Sequence, residues 1–165
     1  MSSEIILRHP VLEDGIEVFD LIKRCPPLDQ NSSYCNFLQC SHFADTCIAA
    51  EMDGDVVGFV SGYRLPKAPS TLFVWQVAVD SRARGRGLAS KMIIHLLSQP
   101  SCRGVAHVHT TITEANEASW ALFRGLAEKL DCELASETLM DREQHFKGRH
   151  DSEILVHLGP FNPVV

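Results

Sequence analysis

The sequence lacks the long apolar runs and the basic leader that direct a chain into or across a membrane. No apolar stretch approaches the roughly 20 residues that span a bilayer as a helix. The N-terminal segment MSSEIILRHP contains no basic part followed by an apolar core. These absences predict a cytoplasmic protein without a membrane partner. With 165 residues, the chain is long enough for a sizeable core, and we expect one domain over 1–165.

Positive charge is also scarce in this chain. Fifteen lysines and arginines stand against 21 aspartates and glutamates, which gives a formal net charge of −6. A protein that binds the nucleic acid backbone needs a broad basic surface. The composition therefore predicts that nucleic acid is not a partner.

Motifs for disulfides, metals and covalent nucleophiles are missing too. The six cysteines form no Cys-x-x-Cys pair, so we expect reduced and mostly buried thiols. His107 and His109 share one face of a predicted strand, and His145 and His150 lie in a polar segment, but neither pair has the further ligands of a zinc site. We therefore predict no metal. The sequence also contains no Gly-x-Ser-x-Gly nucleophile elbow.

Apolar periodicity and turn residues predict an α/β chain with a mixed β-sheet flanked by helices. The turn residues Asp53-Gly54-Asp55 favour a tight hairpin between two strands. Residues 64–70, with two prolines, are predicted to form a loop, and the polar residues 140–152 are predicted to order only over a ligand. The predicted strands are 4–8, 47–52, 56–63, 72–79, 105–112, 133–139 and 153–159, and the predicted helices are 16–22, one from about 31, one from 88, and 116–130.

The most informative strand is LFVWQVAV at 72–79. Strict alternation would place Phe73, Trp75, Val77 and Val79 on one face. A loop rich in glycine and arginine follows, and from Leu88 the apolar residues recur at the spacing of an amphipathic helix. The free N–H groups and the positive dipole end of such a helix bind phosphate oxygens. We therefore predict a diphosphate site, with counter-charge from Arg82, Arg84, Arg86 and Lys91.

The loop does not match the two commonest phosphate loops. It lacks the Gly-Lys-Ser/Thr ending of nucleoside triphosphatases and the third glycine of the dinucleotide fingerprint. It does match Arg/Gln-x-x-Gly-x-Gly/Ala through Arg82, Gly85 and Gly87, between a strand and a helix. In this it resembles the acetyl-coenzyme A loop of the GCN5-related N-acetyltransferases. The resemblance implies that family's fold in one domain, and coenzyme contacts from Val77, Ala78, Val79, Arg84, Gly85, Arg86, Gly87, Leu88, Ala89, Asn116 and Phe123.

Three of these positions have specific expected roles. An N–H near Val77 would stabilise the oxyanion that forms on the thioester carbonyl. Asn116 would either bond the pantetheine arm or cap the helix that it begins. Phe123 stands where many relatives carry a tyrosine that protonates the departing thiolate, so that proton must come from another donor or from solvent.

Four longer segments, 26–51, 72–92, 110–123 and 150–161, resemble a narrower family, the diaminobutyrate acetyltransferases of ectoine biosynthesis. The resemblance implies a cytosolic homodimer that acetylates the γ-amine of L-2,4-diaminobutyrate, a small diamino acid. The acceptor-binding candidates that follow are Asp29, Tyr34, Trp75 and Glu153.

The chemistry requires a base, because an alkyl amine with a pKa near 10.4 is almost entirely protonated at neutral pH. We expect Glu153, directly or through a water chain that ends at Glu153 or His150, to accept this proton, and Tyr34 to return one to the thiolate. No cysteine has an evident base partner, so direct attack by the amine is favoured over an acetyl-cysteine. Two alternatives stay open: an acetyltransferase for another small amine, and a non-catalytic acyl-coenzyme A sensor.

Overall fold

The computed structural model describes residues 4–165, which form a seven-stranded sheet in the order β1-β2-β3-β4-β5-β7-β6. Neighbouring strands are antiparallel except β4 and β5, which run parallel. This mixed sheet confirms the predicted α/β class. The strands are β1 (Ile5–Arg8), β2 (Ile48–Met52), β3 (Asp55–Leu65), β4 (Ala68–Val79), β5 (His107–Thr113), β6 (Leu134–Met140) and β7 (Glu153–Leu158).

Four α-helices in the described residues flank this sheet: α1 (Gly15–Lys23), α2 (Ser33–Gln39), α3 (Leu88–Leu97) and α4 (Glu117–Lys129). Helices α3 and α4 bury Met92 and Leu126 in the larger core, against Leu72 of β4. A smaller core on α1 includes Leu21 and contains Phe59 of β3. The sheet is thus covered by helices, as its apolar strands require.

The predicted start of α2 is confirmed by its cap. The Ser32 hydroxyl accepts a hydrogen bond from the N–H of Cys35 at 3.1 Å. The predicted hairpin is also confirmed, since β2 and β3 are joined through Asp53 and Gly54, whose φ angles are 53° and 83°. The loop predicted over 64–70 is wrong. Leu65 of β3 pairs with Ala68 of β4, because Pro66 occupies the turn itself, where its fixed φ is favourable.

Strand β4 carries a bulge in its pairing with β3. Gln76 lies opposite Ser61, but Val74 lies opposite Gly62, so Trp75 is an extra residue between them. One extra residue moves every later side chain to the other face of the sheet. The prediction that the odd-numbered residues of this strand share a face is therefore wrong. Leu72 and Val74 before the bulge, and Val77 and Val79 after it, face the larger core, whereas Phe73 and Trp75 contact Tyr63 on the opposite face.

The parallel strands β4 and β5 separate soon after they meet. They pair only over Thr71–Phe73 of β4, within the described residues, although β4 continues to Val79 and β5 to Thr113. At the point of separation the Thr110 hydroxyl donates to the carbonyl of Val74 at 3.0 Å. Backbone groups in such a gap need hydrogen-bond partners. The gap can therefore receive an extended ligand.

The polar segment 140–152 has hydrogen bonds of its own. The Asp141 carboxylate accepts from the N–H groups of Glu143 and Gln144 at 2.9 and 2.8 Å. Arg142 forms an ion pair with Asp151 at 3.0 Å. The protein alone thus supplies contacts that shape this segment, which was predicted to order only over a ligand.

All six thiols are free, and those of Cys25, Cys40, Cys47 and Cys102 are buried. The prediction of mostly buried, unlinked cysteines is therefore confirmed. Burial raises the pKa of Cys40 and of Cys47 to about 12 in each case, so these thiols are poor nucleophiles. Among the residues that the structure describes, none of the helices combines the length and apolarity needed to cross a membrane.

Candidate active site

The loop from β4 to α3 begins at a buried ion network. Asp80 is 5% exposed, and its carboxylate accepts from the N–H of Arg82 at 3.0 Å. It also pairs with the guanidinium of Arg24 at 2.8 Å and with that of Arg82 at 3.3 Å. Burial by itself would raise the pKa of Asp80, but the N–H and the two guanidiniums outweigh it and hold that pKa well below its usual range. Asp80 therefore anchors the start of the loop as an ionised carboxylate.

The arginines of this loop have different surroundings. Arg82 also pairs with Asp55 at 3.1 Å, so two carboxylates engage its guanidinium. The prediction of Arg82 as a phosphate counter-charge is therefore not supported by this geometry. The Nε of Arg84 donates to the carbonyl of Val79 at 3.2 Å. Arg86 and Lys91 line a 270 Å³ cavity beside Leu88, close to the start of α3.

Two glycines leave the start of α3 open. Gly85 and Gly87 have φ angles of 78° and 68°, which side-chain-bearing residues rarely adopt. Gly87 caps α3 without a side chain, and the first helical bond runs from the N–H of Lys91 to its carbonyl at 3.1 Å. The N–H groups of residues 88–90 precede that bond and are available to an anion. The predicted diphosphate residues Gly85, Arg86, Gly87, Leu88 and Ala89 all lie in this loop and first turn.

Val77, Ala78 and Val79 lie on the part of β4 that no longer pairs with β5. Ala78 is buried in the smaller core, while the other two side chains are half-buried against the larger one. Their backbone therefore borders the gap in which an extended arm would lie.

The two candidates on α4 differ. The Oδ1 atom of Asn116 accepts from the N–H of Ser119 at 3.3 Å, which confirms the capping alternative. Its contact with the pantetheine arm stays a prediction. Phe123 is 2% exposed and packs within the larger core. A ring with so little surface has little to offer a ligand, so its burial does not support a coenzyme contact.

Two of the acceptor-binding candidates and the predicted catalytic residue His150 meet at one end of the sheet. Nε2 of His150 lies 3.3 Å from Oδ2 of Asp29. One ligand-type atom from each of Asp29, His150 and Glu153 lies within 4.8 Å of the other two. Two carboxylates and an imidazole have the chemistry to hold an ammonium group or a metal ion. The fold thus brings these predicted residues together.

This cluster spans the mouth of the gap between β4 and β5. The backbone carbonyl of Asp29 accepts from the side chain of Gln76 on β4 at 2.5 Å. Glu153 begins β7 and pairs with Thr113, the last residue of β5. The cluster is therefore tied through Asp29 to one of the diverging strands and through Glu153 to the other.

The surroundings of Glu153 and His150 favour their protonated forms. Burial raises the pKa of Glu153 and Asp29 adds to the rise, against the opposing effects of His150 and of a hydrogen bond from Thr111. The pKa of His150 is raised first by the carbonyl of Asp151, 2.6 Å from its Nδ1, and then by Asp29 and Glu153. Raised pKa values make both groups better proton acceptors toward an ammonium group.

In the described residues, neither Tyr34 nor Trp75 forms a hydrogen bond, ion pair or ring contact with this cluster. The Tyr34 side chain is 71% exposed on α2. Trp75 is 37% exposed, and its ring stands edge-on to Phe43 at 6.2 Å and to Tyr63 at 5.8 Å. Their roles in acceptor binding and acid catalysis stay predictions.

The sequence analysis missed several polar residues near the cluster. Gln76 and Asn31 hold the segment that carries Asp29, and Thr111 bonds Glu153. Gln76 had a visible signal, because it is the one strongly polar side chain in the apolar run FVWQVAV. Asn31 and Thr111 had none, since their partners come from distant segments.

A third histidine joins His107 and His109 on the open face of the sheet. Nδ1 of His107 lies 2.9 Å from Nε2 of His157, and the rings of His109 and His157 are 4.8 Å apart. Burial lowers the pKa of His109 and of His157, and the neighbouring imidazoles lower both further. This group is well away from Glu153, about 13 Å along β7 at the rise of an extended strand.

Comparison with known proteins agrees with the fold and identifies the family. The model of the acetyltransferase (GNAT) family matches residues 16–127. The L-2,4-diaminobutyric acid acetyltransferase of Methylotuvimicrobium alcaliphilum is 52% identical over 160 residues, which cover 97% of this chain and 93% of that protein. The protein of the same name from Vibrio parahaemolyticus is 48% identical over 157 residues, covering 95% and 87%.

A solved structure shows the same architecture. The diaminobutyrate acetyltransferase EctA from Paenibacillus lautus, determined with its substrate L-2,4-diaminobutyric acid and coenzyme A, is 41% identical with a TM-score of 0.93. The alignment covers 98% of each chain. The predicted fold class is thereby confirmed. This chain belongs to the GNAT acetyltransferases and, within them, to the L-2,4-diaminobutyric acid acetyltransferase family.

Proposed function

We propose that this chain transfers the acetyl group of acetyl-coenzyme A to the γ-amine of L-2,4-diaminobutyrate, giving N4-acetyl-L-2,4-diaminobutyrate for ectoine biosynthesis. The observation that carries the proposal is the cluster of Asp29, His150 and Glu153 at the mouth of the β4–β5 gap. It puts two carboxylates and a proton acceptor where a small diamine can meet a thioester. The family resemblance supplies the identity of the acceptor.

Two parts of the site hold the coenzyme, the start of α3 and the unpaired edge of β4. The N–H groups at the start of α3 bind its diphosphate, and Arg84 and Arg86 lie on the approach. The pantetheine arm lies extended along Val77–Val79 in place of the missing β5 partner. The N–H near Val77 then donates to the thioester carbonyl as negative charge develops on its oxygen.

The acceptor is held by charge and by an aromatic face. Asp29 and Glu153 pair with its ammonium groups, and Trp75 offers a cation–π surface. Glu153, directly or through water and His150, takes a proton from the γ-ammonium group. The neutral nitrogen then attacks the thioester carbon directly, the C–S bond breaks, and the thiolate receives a proton from Tyr34 or from solvent.

The test is a direct assay of the purified protein. Acetyl-coenzyme A and L-2,4-diaminobutyrate are supplied, thiol release is followed, and the acetylated nitrogen is identified by NMR, with ornithine and lysine as competing acceptors. Rapid γ-acetylation with poor use of the longer homologues supports the proposal. Tight coenzyme binding without turnover contradicts it and favours the sensor alternative, and preference for another amine favours a different acetyltransferase.

We also propose that the enzyme acts in the cytoplasm as a homodimer. Its product is then an intermediate in the synthesis of ectoine, a compatible solute made under osmotic stress. The support is the resemblance to the diaminobutyrate acetyltransferases. Light scattering during size-exclusion chromatography measures the assembly, and a mass of one chain contradicts the homodimer.

A further inference from the structure

The side chain of Gln76 bridges β4 and the segment that carries Asp29. Its Nε2 donates to the backbone carbonyl of Asp29 at 2.5 Å, and its Oε1 accepts from Nδ2 of Asn31 at 3.3 Å. Its backbone N–H donates to the hydroxyl of Ser61 at 3.1 Å, and Ser61 is fully buried. One residue is thus bonded on one side to the sheet and on the other to the acceptor segment.

The bulge in β4 makes this bridge possible. Without the extra residue Trp75, Gln76 would lie on the face of the larger core. The slip places it on the same face as Ala78, whose side chain packs in the smaller core below α1. Gln76 also directly precedes Val77, whose backbone borders the coenzyme gap. Gln76 therefore joins the segment that carries Asp29 to the part of β4 that borders the proposed coenzyme gap.

The segment has few other anchors. Leu28 bonds back to Cys25, and Ser32 is the N-cap of α2. Between them, in the part of the chain that the structure describes, the backbone of residues 29–31 forms no hydrogen bond with other backbone groups. The Asp29 carboxylate is largely exposed, and an exposed pair with His150 contributes little by itself. The placement of Asp29 therefore depends on Gln76.

We propose that Gln76 is a positioning residue, which holds the Asp29 carboxylate at the acceptor cluster without touching the reacting atoms. This inference rests on the proposed function for the role of Asp29. The expected effect is confined to the acceptor, because the proposed coenzyme contacts do not involve the side chain of Gln76. Loss of the bridge should weaken acceptor binding and leave coenzyme binding unchanged.

The test compares Gln76→Ala and Gln76→Glu with Gln99→Ala. Gln99 is a matched control, since its side chain also donates to a backbone carbonyl, that of His95 at 3.0 Å, at the far end of α3. We expect Gln76→Ala to raise the acceptor KM about tenfold, the effect of roughly one lost hydrogen bond, with the acetyl-coenzyme A KM unchanged. Gln76→Glu keeps the acceptor atom for Asn31 but loses the donor to Asp29, so it should show most of the same increase.

Two further measurements separate positioning from general damage. Hydrogen exchange at the amides of residues 29–34 should be faster in Gln76→Ala but not in Gln99→Ala. The acid limb of the acceptor kcat/KM profile should move to lower pH in Gln76→Ala, because Asp29 no longer lies beside His150. An unchanged acceptor KM and unchanged exchange in both Gln76 variants would overturn the inference.

The proposed function can fail separately. If the native protein does not acetylate L-2,4-diaminobutyrate, that proposal falls, while the exchange experiment still tests the bridge. Faster exchange in Gln76→Ala then supports the structural bridge, and unchanged exchange overturns it. Native turnover with equal increases in both KM values for Gln76→Ala would show global damage and contradict a positioning role.

Discussion

The imidazole of His150 lies 3.3 Å from the carboxylate of Asp29, although 121 residues separate them in the chain. Glu153 completes the group from the first position of β7. Asp29 is tied to β4 and Glu153 to β5, so the cluster stands at the mouth of the gap between these strands. The group therefore combines two carboxylates, one of them the proposed base Glu153, with an imidazole at the mouth of the gap.

Replacement of Glu153 by glutamine should remove the main proton acceptor. We expect kcat to fall by about 10²- to 10⁴-fold, the usual contribution of a general base, with the affinity for acetyl-coenzyme A unchanged. Steady-state rates at saturating acceptor measure the effect. Glu143→Gln in the exposed 140–152 segment is the control, and native turnover by Glu153→Gln across neutral pH would exclude Glu153 as the base.

Replacement of Gly87 by alanine should weaken coenzyme binding. A Cβ there meets no atom within 4 Å, but the φ of 68° is strained for alanine and costs about 1–2 kcal/mol. Relief of that strain would reorient the N–H groups at the start of α3. Calorimetric titration with acetyl-coenzyme A measures the loss, and Gly125→Ala within α4, where φ is not positive, should leave affinity unchanged. Equal affinities of the two variants would contradict a diphosphate site at Gly87.

Replacement of Asp80 by asparagine should destabilise the protein in the absence of any ligand. The change leaves Arg24 and Arg82 without their shared buried carboxylate, and we expect a loss of about 1–3 kcal/mol in the free energy of unfolding. Urea denaturation measures it. Asp55→Asn removes the exposed partner of the same Arg82 and should cost far less. A similar loss in both variants would contradict the anchoring role of Asp80.

The histidine group on the open sheet face predicts a stability that falls with acidification. The pKa values of His109 and His157 are lower in the folded protein than the value of 6.5 that applies in the unfolded chain. The unfolded state therefore binds more protons as the pH falls below about 6.5, and the free energy of unfolding declines until the folded pKa values are passed.

The check is the difference between native protein and His157→Gln in urea denaturation from about pH 8 to about pH 5. The variant should lose less stability on acidification, because one imidazole and its repulsion of His107 and His109 are gone. His42→Gln, at an exposed position, should follow the native curve. A His157→Gln curve parallel to the native one would show that the group does not drive the acid sensitivity.

Much of the fold was predictable because its signals are local. The cap at Ser32, the turn at Asp53-Gly54 and the change of periodicity at Leu88 each depend on a few neighbouring residues. The prediction of a loop over 64–70 was wrong because proline occurs both in two-residue turns and in longer loops. Only the partner strand distinguishes them.

The site was predictable in part. The glycine loop was found from its spacing, Asp29 and Glu153 with the help of a family resemblance, and His150 from the need for a base. No pattern in the chain shows that the three would touch. The burial of Phe123 and the engagement of Arg82 by two carboxylates also follow from packing between segments. Gln76 was visible only as an isolated polar residue.

The sequence by itself determined most of the helices, strands and turns, because short-range sterics and hydrogen bonding decide these features, and it predicted an anion-binding loop over residues 80–89. The tertiary structure alone decided which face of β4 each side chain occupies, since one extra residue opposite β3 reverses the alternation. It also decided that Asp29, His150 and Glu153 share one site, because their distances depend on strand register and on the packing of segments far apart in the chain.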